Sequence, residues 1–235
     1  MALAYFYVEQ LLTTDGLLQL NEETSKHMVQ VLRMGVGEKV SLTDGKGTKA
    51  IAEIVDAHKK KCLVRINEIS ANDLPQPKKA IAISLVKNTS RFEWFLEKAT
   101  EMGVTAIYPL LCDRTEKQHF RMERMKGILV SAMLQSQQVW LPEMSQPLTF
   151  SELIQTAQYH SKYIGYCDES YPRKLLHQQN IAKDSLILIG PEGDFTPSEV
   201  EQAMAKGFEP VSLGSNRLRT ETAGVAAAVI LGICN

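Results

Sequence analysis

The chain reads as an α/β protein in two parts, a small β-rich barrel followed by a mostly parallel sheet flanked by helices. Three observations predict this. Short alternating or β-branched segments crowd residues 1–72, with one helical stretch among them. The run Ala71–Lys79, ANDLPQPKK, is polar and carries Pro75 and Pro77, a linker composition. Beyond it, over 73–235, apolar strand segments alternate with helical periodicity, as in a sheet whose faces are covered by crossover helices.

The elements follow in order. Ala4–Val8 is aromatic and β-branched and predicts a strand. A helix is expected to start at Asn21 as N-cap, with Met28, Val29 and Leu32 as its apolar stripe. Lys39–Thr43 and Thr48–Val55 read as a hairpin around the turn Asp44-Gly45 with Gly47, and Cys62–Ile69 alternates again. Ala80–Val86 is a continuous apolar strand. Ser90-Arg91-Phe92-Glu93 has the spacing of a capping box. Phe92, Phe95, Leu96, Ala99 and Met102 then share one helical face, which Gly103 ends. Val104–Leu111 is a strand, Phe120–Gln137 a helix, and Tyr163–Cys167 and Ser185–Ile189 are strands. Thr196-Pro197-Ser198-Glu199 is a second capping box with proline at the first helical position. Val211–Leu213 is a strand, and a last helix spans Thr220–Ile233; it is apolar on all sides from Val225, which fits burial in a core or a dimer interface.

The totals exclude several classes. The formal net charge is -1, so any nucleic-acid contact must come from local basic clusters rather than from the whole. Such clusters are Lys59-Lys60-Lys61, Lys78-Lys79, and Arg114, Lys117, Arg121, Arg124 and Lys126, each of which, taken alone, reads first as a solvated face. Cys62, Cys112, Cys167 and Cys234 are far apart without a Cys-x-x-Cys pair, and the histidines lack ligand spacing. No metal site and no disulfide framework is expected, and reduced thiols suit a cytoplasmic location. The start MALAYFYVEQ does not have the form of a signal peptide, and the apolar run Val225–Ile233 is too short to span a bilayer.

Two glycine-bearing turns follow strands near the C-terminus, Ile189-Gly190-Pro191-Glu192-Gly193-Asp194 and Leu213-Gly214-Ser215-Asn216-Arg217-Leu218-Arg219. Ligands of open α/β sheets bind beyond the carboxyl ends of strands, and glycine lets backbone approach them closely. Neither turn has a Gly-Lys-Ser/Thr ending or Gly-x-Gly-x-x-Gly, which argues against a nucleoside triphosphate or a dinucleotide.

The run LIGPEGDFTPSEV with VSLGSNRLRTETA resembles the C-terminal signature of the ribosomal small-subunit RNA methyltransferase E family, the 16S ribosomal RNA uracil N3-methyltransferases of the SPOUT superfamily. Arg91-Phe92-Glu93-Trp94 with Glu97–Val104, and HMVQVLR at His27–Arg33 followed by Gly37 and Asp44-Gly45, extend the resemblance over nearly the whole chain. It implies a PUA-like barrel over 1–72 that binds RNA. It also implies a methyltransferase domain over 73–235 with a C-terminal trefoil knot, whose loops bind S-adenosylmethionine, and two subunits that pair as a homodimer. By position the cofactor residues are Ile189, Gly190, Glu192 and Gly193, then Leu213, Gly214, Asn216, Leu218 and Arg219, with Tyr166 and Cys167 at the preceding strand end. The partner that the resemblance implies is 16S ribosomal RNA or the assembled small subunit.

Uracil N3 must lose a proton while a nearby cation stabilises charge spreading onto the ring oxygens. Arg219 and Glu221 are the candidates, although Thr220 as cap with Glu221 in the first turn also describes an ordinary helix start. Glu192 is a third, whose plainer reading is a carboxylate that accepts a backbone amide. Arg33, Lys87, Arg91, Arg114 and Arg121 are candidate RNA contacts, with Asn88 beside Lys87. The family commonly has an acid, glutamine, a small residue, glycine and arginine where this chain has Leu134, Gln135, Ser136, Gln137 and Gln138, and glycine where it has Asp194. Rival readings are a related methyltransferase acting on transfer RNA, a non-catalytic ribosome-assembly protein, and, more distantly, a metabolic α/β enzyme.

Overall fold

A computed structural model describes residues 3–9, 16–116, 119–167, 173–179, 181 and 183–233, so Lys117 and Cys234 lie outside the described residues. The chain divides into two compact units, Met1–Leu74 with Met133–Leu141, and Pro75–Ala132 with Pro142–Asn235.

The first unit holds strands β1 (Tyr5–Tyr7), β2 (Leu17–Gln19), β3 (Lys39–Thr43), β4 (Thr48–Asp56) and β5 (Leu63–Ala71), hydrogen-bonded in the order β1-β3-β4-β5-β2. Alternate residues Val40 and Leu42, Ala52 and Ile54, and Val64 and Ile66 fill its core. Helix α1 (Glu22–Lys26) starts as expected, with the Asn21 side-chain Oδ1 accepting from the Thr24 amide at 2.8 Å. It runs on into a π-helical turn, His27–Val31. That wider turn corrects the expected stripe: Met28 is fully buried, but the Leu32 amide reaches back to His27, and the Leu32 side chain faces solvent. Arg33 follows, exposed and left-handed at φ 56°. In the β3–β4 turn the Asp44 carboxylate accepts from the amides of Lys46 and Thr48 at 2.8 and 3.2 Å. Residues 139–141 pair with that turn, and the Trp140 indole donates to the Asp73 carbonyl at 2.9 Å.

The second unit is a parallel sheet. Its strands are β6 (Lys79–Ser84), β7 (Ala106–Leu111), β8 (Glu143–Met144), β9 (Leu148–Thr149), β10 (Ser161–Gly165), β11 (Lys174–Leu175), β12 (Ser185–Ile189) and β13 (Glu209–Ser212). The order is β11-β13-β10-β12-β6-β7-β8, with β9 also on β7. Every residue of β12 is buried, because both faces of the central strands are covered. On one face, Ala80, Ala82, Leu186 and Leu188 pack with Phe150, Phe195 and Val200. On the other lie helices α2 (Thr89–Glu101) and α6 (Thr220–Ile233), and α6 also rests on β6 and β12. Helix α3 is Met122–Gln135, α4 is Phe150–Thr156 and α5 is Pro197–Ala205.

The Thr196/Glu199 capping box forms as expected, each side chain bonding the other's amide. The Ser90/Glu93 box does not. Asn88 caps α2, its side-chain Oδ1 accepting from the Ser90 amide at 2.9 Å, while the Glu93 carboxylate takes both Nε and Nη2 of Arg124. A bidentate guanidinium outcompetes a backbone amide for a carboxylate. Met102 is also not on the buried face; it is the C-cap of α2 and 42% exposed, beyond the last helical turn that packs. A third box, Thr149/Glu152, opens α4, and its Thr-x-x-Glu spacing was present in the sequence. Among the described residues no helix is long and apolar enough to cross a membrane, and no cluster of His, Cys, Asp or Glu is arranged to hold a metal ion.

Candidate functional site

A cleft of about 1210 Å³ opens beyond the carboxyl ends of β10, β12, β13 and β11. Three walls form it. The first is the turn after β12, where the Asp194 amide returns to the Pro191 carbonyl at 2.9 Å. A Cβ on Gly190 would lie 3.1 Å from the Phe195 ring, so glycine lets this turn sit against the core. The second wall is Leu213–Arg219, between β13 and α6. Gly214 there has φ 149°, which disfavours any side chain, and its carbonyl accepts from the Ser212 hydroxyl at 2.8 Å. The third wall comes from Gly165, Tyr166 and Cys167 after β10, with Arg173, Leu175 and His177. The Arg173 guanidinium donates to the Tyr166 carbonyl at 2.7 Å, tying this wall together.

The turn after β12 is gripped from the loops that follow three other strands. The Glu192 carboxylate accepts from the Lys87 amide at 3.2 Å, beyond β6. The Arg114 guanidinium donates to the Gly193 carbonyl at 2.6 Å, beyond β7. The Asp194 carboxylate accepts from the Cys167 amide at 3.1 Å, beyond β10. Glu192 therefore does accept a backbone amide, from a residue far away in sequence.

Of the residues expected at a cofactor, Tyr166, Ile189, Gly190, Glu192, Leu213, Gly214, Asn216, Leu218 and Arg219 all line the cleft, as does Cys167. Gly193 is not among the lining residues; its carbonyl faces Arg114. Arg219 is exposed, and its carbonyl accepts the first-turn amide of Ala223. Thr220 is thus the first residue inside α6 rather than a cap before it. Glu221 does not line the cleft; its side chain is 9% exposed and Oε1 lies 3.6 Å from Arg91 Nε.

The expected RNA contacts are divided between the two units. Arg33 belongs to the first unit, and Lys87, Arg91, Arg114 and Arg121 to the second. Lys87 Nζ is 2.7 Å from Glu116, and Arg121 Nε donates to His119 at 3.1 Å. Sequence reasoning did not single out Arg173, His177 or Arg217. Arg217 stood within the second loop, but Arg173 and His177 carry no motif, and only β11 pairing with β13 brings them to the cleft.

Burial, with Asp194 nearby, pushes the Cys167 thiol up, while Arg217 and Arg173 oppose the shift. Cys112, buried beneath the Arg114 loop, is raised much further, again chiefly by burial.

Known proteins match this arrangement along most of the chain. A family described as RNA methyltransferase domain matches residues 72–232, and one described as RNA methyltransferase PUA domain matches residues 20–67. The ribosomal RNA small subunit methyltransferase E of Synechocystis sp. is 34% identical over 209 residues, 86% of this chain and 68% of that protein.

The chain belongs to the ribosomal RNA small subunit methyltransferase E family.

Solved structures agree with that membership. A probable rRNA-methyltransferase from Porphyromonas gingivalis superposes with TM-score 0.88 at 37% identity, covering 96% of this chain and 95% of that one. A family member from Neisseria gonorrhoeae, bound to S-adenosyl methionine, superposes with TM-score 0.86 at 28% identity, covering 97% and 95%. Within this family frame, Asp194 takes up a turn conformation, φ 62°, that glycine adopts freely and that aspartate tolerates better than most residues.

Proposed function

We propose that this chain transfers a methyl group from S-adenosylmethionine to N3 of a uracil in the 16S RNA of the small ribosomal subunit. The observation that carries the reading is the cleft itself: its walls are the two glycine-bearing turns and the Tyr166 strand end that the resemblance assigns to the cofactor. The cleft fits that group, because glycine at 190 lets its turn pack on Phe195 while the turn lines the cleft, and Gly214 leaves backbone at the lining uncovered by a side chain. When bound, S-adenosylmethionine supplies an activated methyl group on a sulfonium, so the protein's work is mainly positioning.

In this reading Ile189, Gly190, Glu192, Leu213, Gly214, Asn216 and Leu218 hold the cofactor, Gly193 ties their turn to Arg114 from outside the lining, and Tyr166 closes its side of the cleft. Arg219 stands at the cleft with its side chain exposed and stabilises negative charge on the uracil oxygens. Glu221, paired to Arg91 away from the lining, fixes the start of α6, and the N3 proton passes to water in the open cleft. Residues 1–72 act as the RNA-binding PUA-like domain and 73–235 as the methyltransferase domain. Arg33, Lys87, Arg91, Arg114 and Arg121 serve RNA phosphates, so binding weakens steeply with added salt.

The finer architecture is the SPOUT trefoil knot. It is supported by a chain that passes from β12 to β13 on the far side of β10 and then returns through α6 to β6 and β12. A homodimer is supported by α6, where Val225, Ala226, Val229 and Ile230 remain half-buried on an almost wholly apolar helix.

The test is methyl transfer from labelled S-adenosylmethionine to small subunits from a strain lacking the enzyme, with mass spectrometry of the digested RNA. One N3-methyluridine in the 16S RNA is the expected result. Label in transfer RNA instead would move the substrate, and a chain that binds no cofactor would point to an assembly factor.

A further inference from the structure

Asp194 occupies an unusual place in the cleft. It sits in the left-handed region at φ 62°, where a residue other than glycine, asparagine or aspartate is strained. Its two carboxylate oxygens face in two directions. Oδ1 accepts from its neighbour Phe195 at 2.8 Å, the amide that leads into the Thr196 cap of α5. Oδ2 accepts from Cys167 at 3.1 Å, the residue just beyond β10. Since β10 and β12 are adjacent parallel strands, this one side chain spans the carboxyl ends of both. Asp194 and Cys167 both line the cleft.

We propose that Asp194 is a positioning residue for the cofactor, clamping the strand end at Tyr166-Cys167 to the turn Gly190–Asp194 so that two walls of the cleft keep a fixed separation. The role rests on the reading of the cleft as an S-adenosylmethionine site. A glycine here would satisfy the backbone conformation equally well but would leave the Cys167 and Phe195 amides without their acceptor. The carboxylate thus adds a link that the turn alone does not need. Asparagine would keep the size and the tolerance of positive φ, but its amide nitrogen cannot accept, so one of the two bonds is lost.

Three variants of the full chain separate the clamp from backbone strain. Asp194→Asn and Asp194→Gly keep the backbone conformation accessible, and Asp194→Ala does not. If the clamp matters, Asn and Gly both weaken S-adenosylmethionine binding by about tenfold, a realistic effect of losing one or two charge-assisted hydrogen bonds. KM for the cofactor then rises while turnover at saturating cofactor changes by less than about twofold. Deuterium exchange of the peptide spanning Tyr163–Cys167, measured without cofactor, becomes faster in both. Binding by Asp194→Gly as tight as wild type, with unchanged exchange at Cys167, overturns the proposal. A wild-type chain that binds no cofactor overturns the functional reading and this role together, so the two failures are told apart.

Discussion

Arg91 Nε and Glu221 Oε1 lie 3.6 Å apart, linking the first turn of α2 to the first turn of α6. The two residues entered as candidates for different tasks, RNA contact and proton transfer, and the fold makes them partners. Arg91 remains 43% exposed at its side chain, so solvent screens the pair and its coupling should stay below about 1 kcal/mol. A double-mutant cycle on Arg91→Ala and Glu221→Gln in urea unfolding measures that coupling. Glu221→Gln should retain kcat within about tenfold. A drop of about a hundredfold or more, the scale of a lost general base, would restore Glu221 as the proton acceptor.

Arg219 is the complementary case, exposed at the cleft with only its carbonyl committed to the helix. Arg219→Ala should lower kcat by about a hundredfold, the scale of one lost oxyanion donor. Cofactor affinity should change far less. Full turnover with intact cofactor binding would remove Arg219 from the chemistry.

Cysteine labelling reads the cleft directly. Cys167 is exposed at its lining, whereas Cys62 and Cys112 are buried. Of these three, Cys167 should alkylate first, and saturating S-adenosylmethionine should protect it. Its thiol is held above the ordinary range, chiefly by burial, so below that raised pKa the rate should climb about tenfold per pH unit. Peptide mapping by mass spectrometry gives the order. Modification of Cys112 before Cys167 in the folded protein would contradict the described packing.

Gly224 reports on the packing that seats the cleft. A Cβ there would come within 2.6 Å of the Phe95 ring and 2.8 Å of Ile83, where α6 crosses α2 and β6. Gly224→Ala should therefore destabilise the protein by about 1–3 kcal/mol, the usual cost of overpacking, despite alanine's better helix propensity. Chemical denaturation measures it; a gain in stability would mean that the two helices separate more easily than the contacts imply.

Much of the fold was legible because it follows local rules. The mainly apolar β12, the Asn21 cap and the Thr196/Glu199 box each depend on residues within a few positions of one another. Those rules failed where a distant group competed. Glu93 had the spacing of a capping box but met Arg124, and Leu32 had helical spacing but followed a π turn. Two-residue strands such as β8, β9 and β11 gave no periodicity to read.

The candidate site divides in the same way. By itself the sequence determined the two glycine-bearing turns, the tyrosine strand end and the family to which they belong, because glycine frees and proline fixes the backbone within the turn that carries them. Only the tertiary structure decided that Arg173 and His177 share that cleft, that Arg114 serves the Gly193 carbonyl, and that Glu221 faces Arg91 instead of the cleft lining. These contacts join residues scores of positions apart. They are set by the order in which parallel strands lie side by side, which no local pattern encodes.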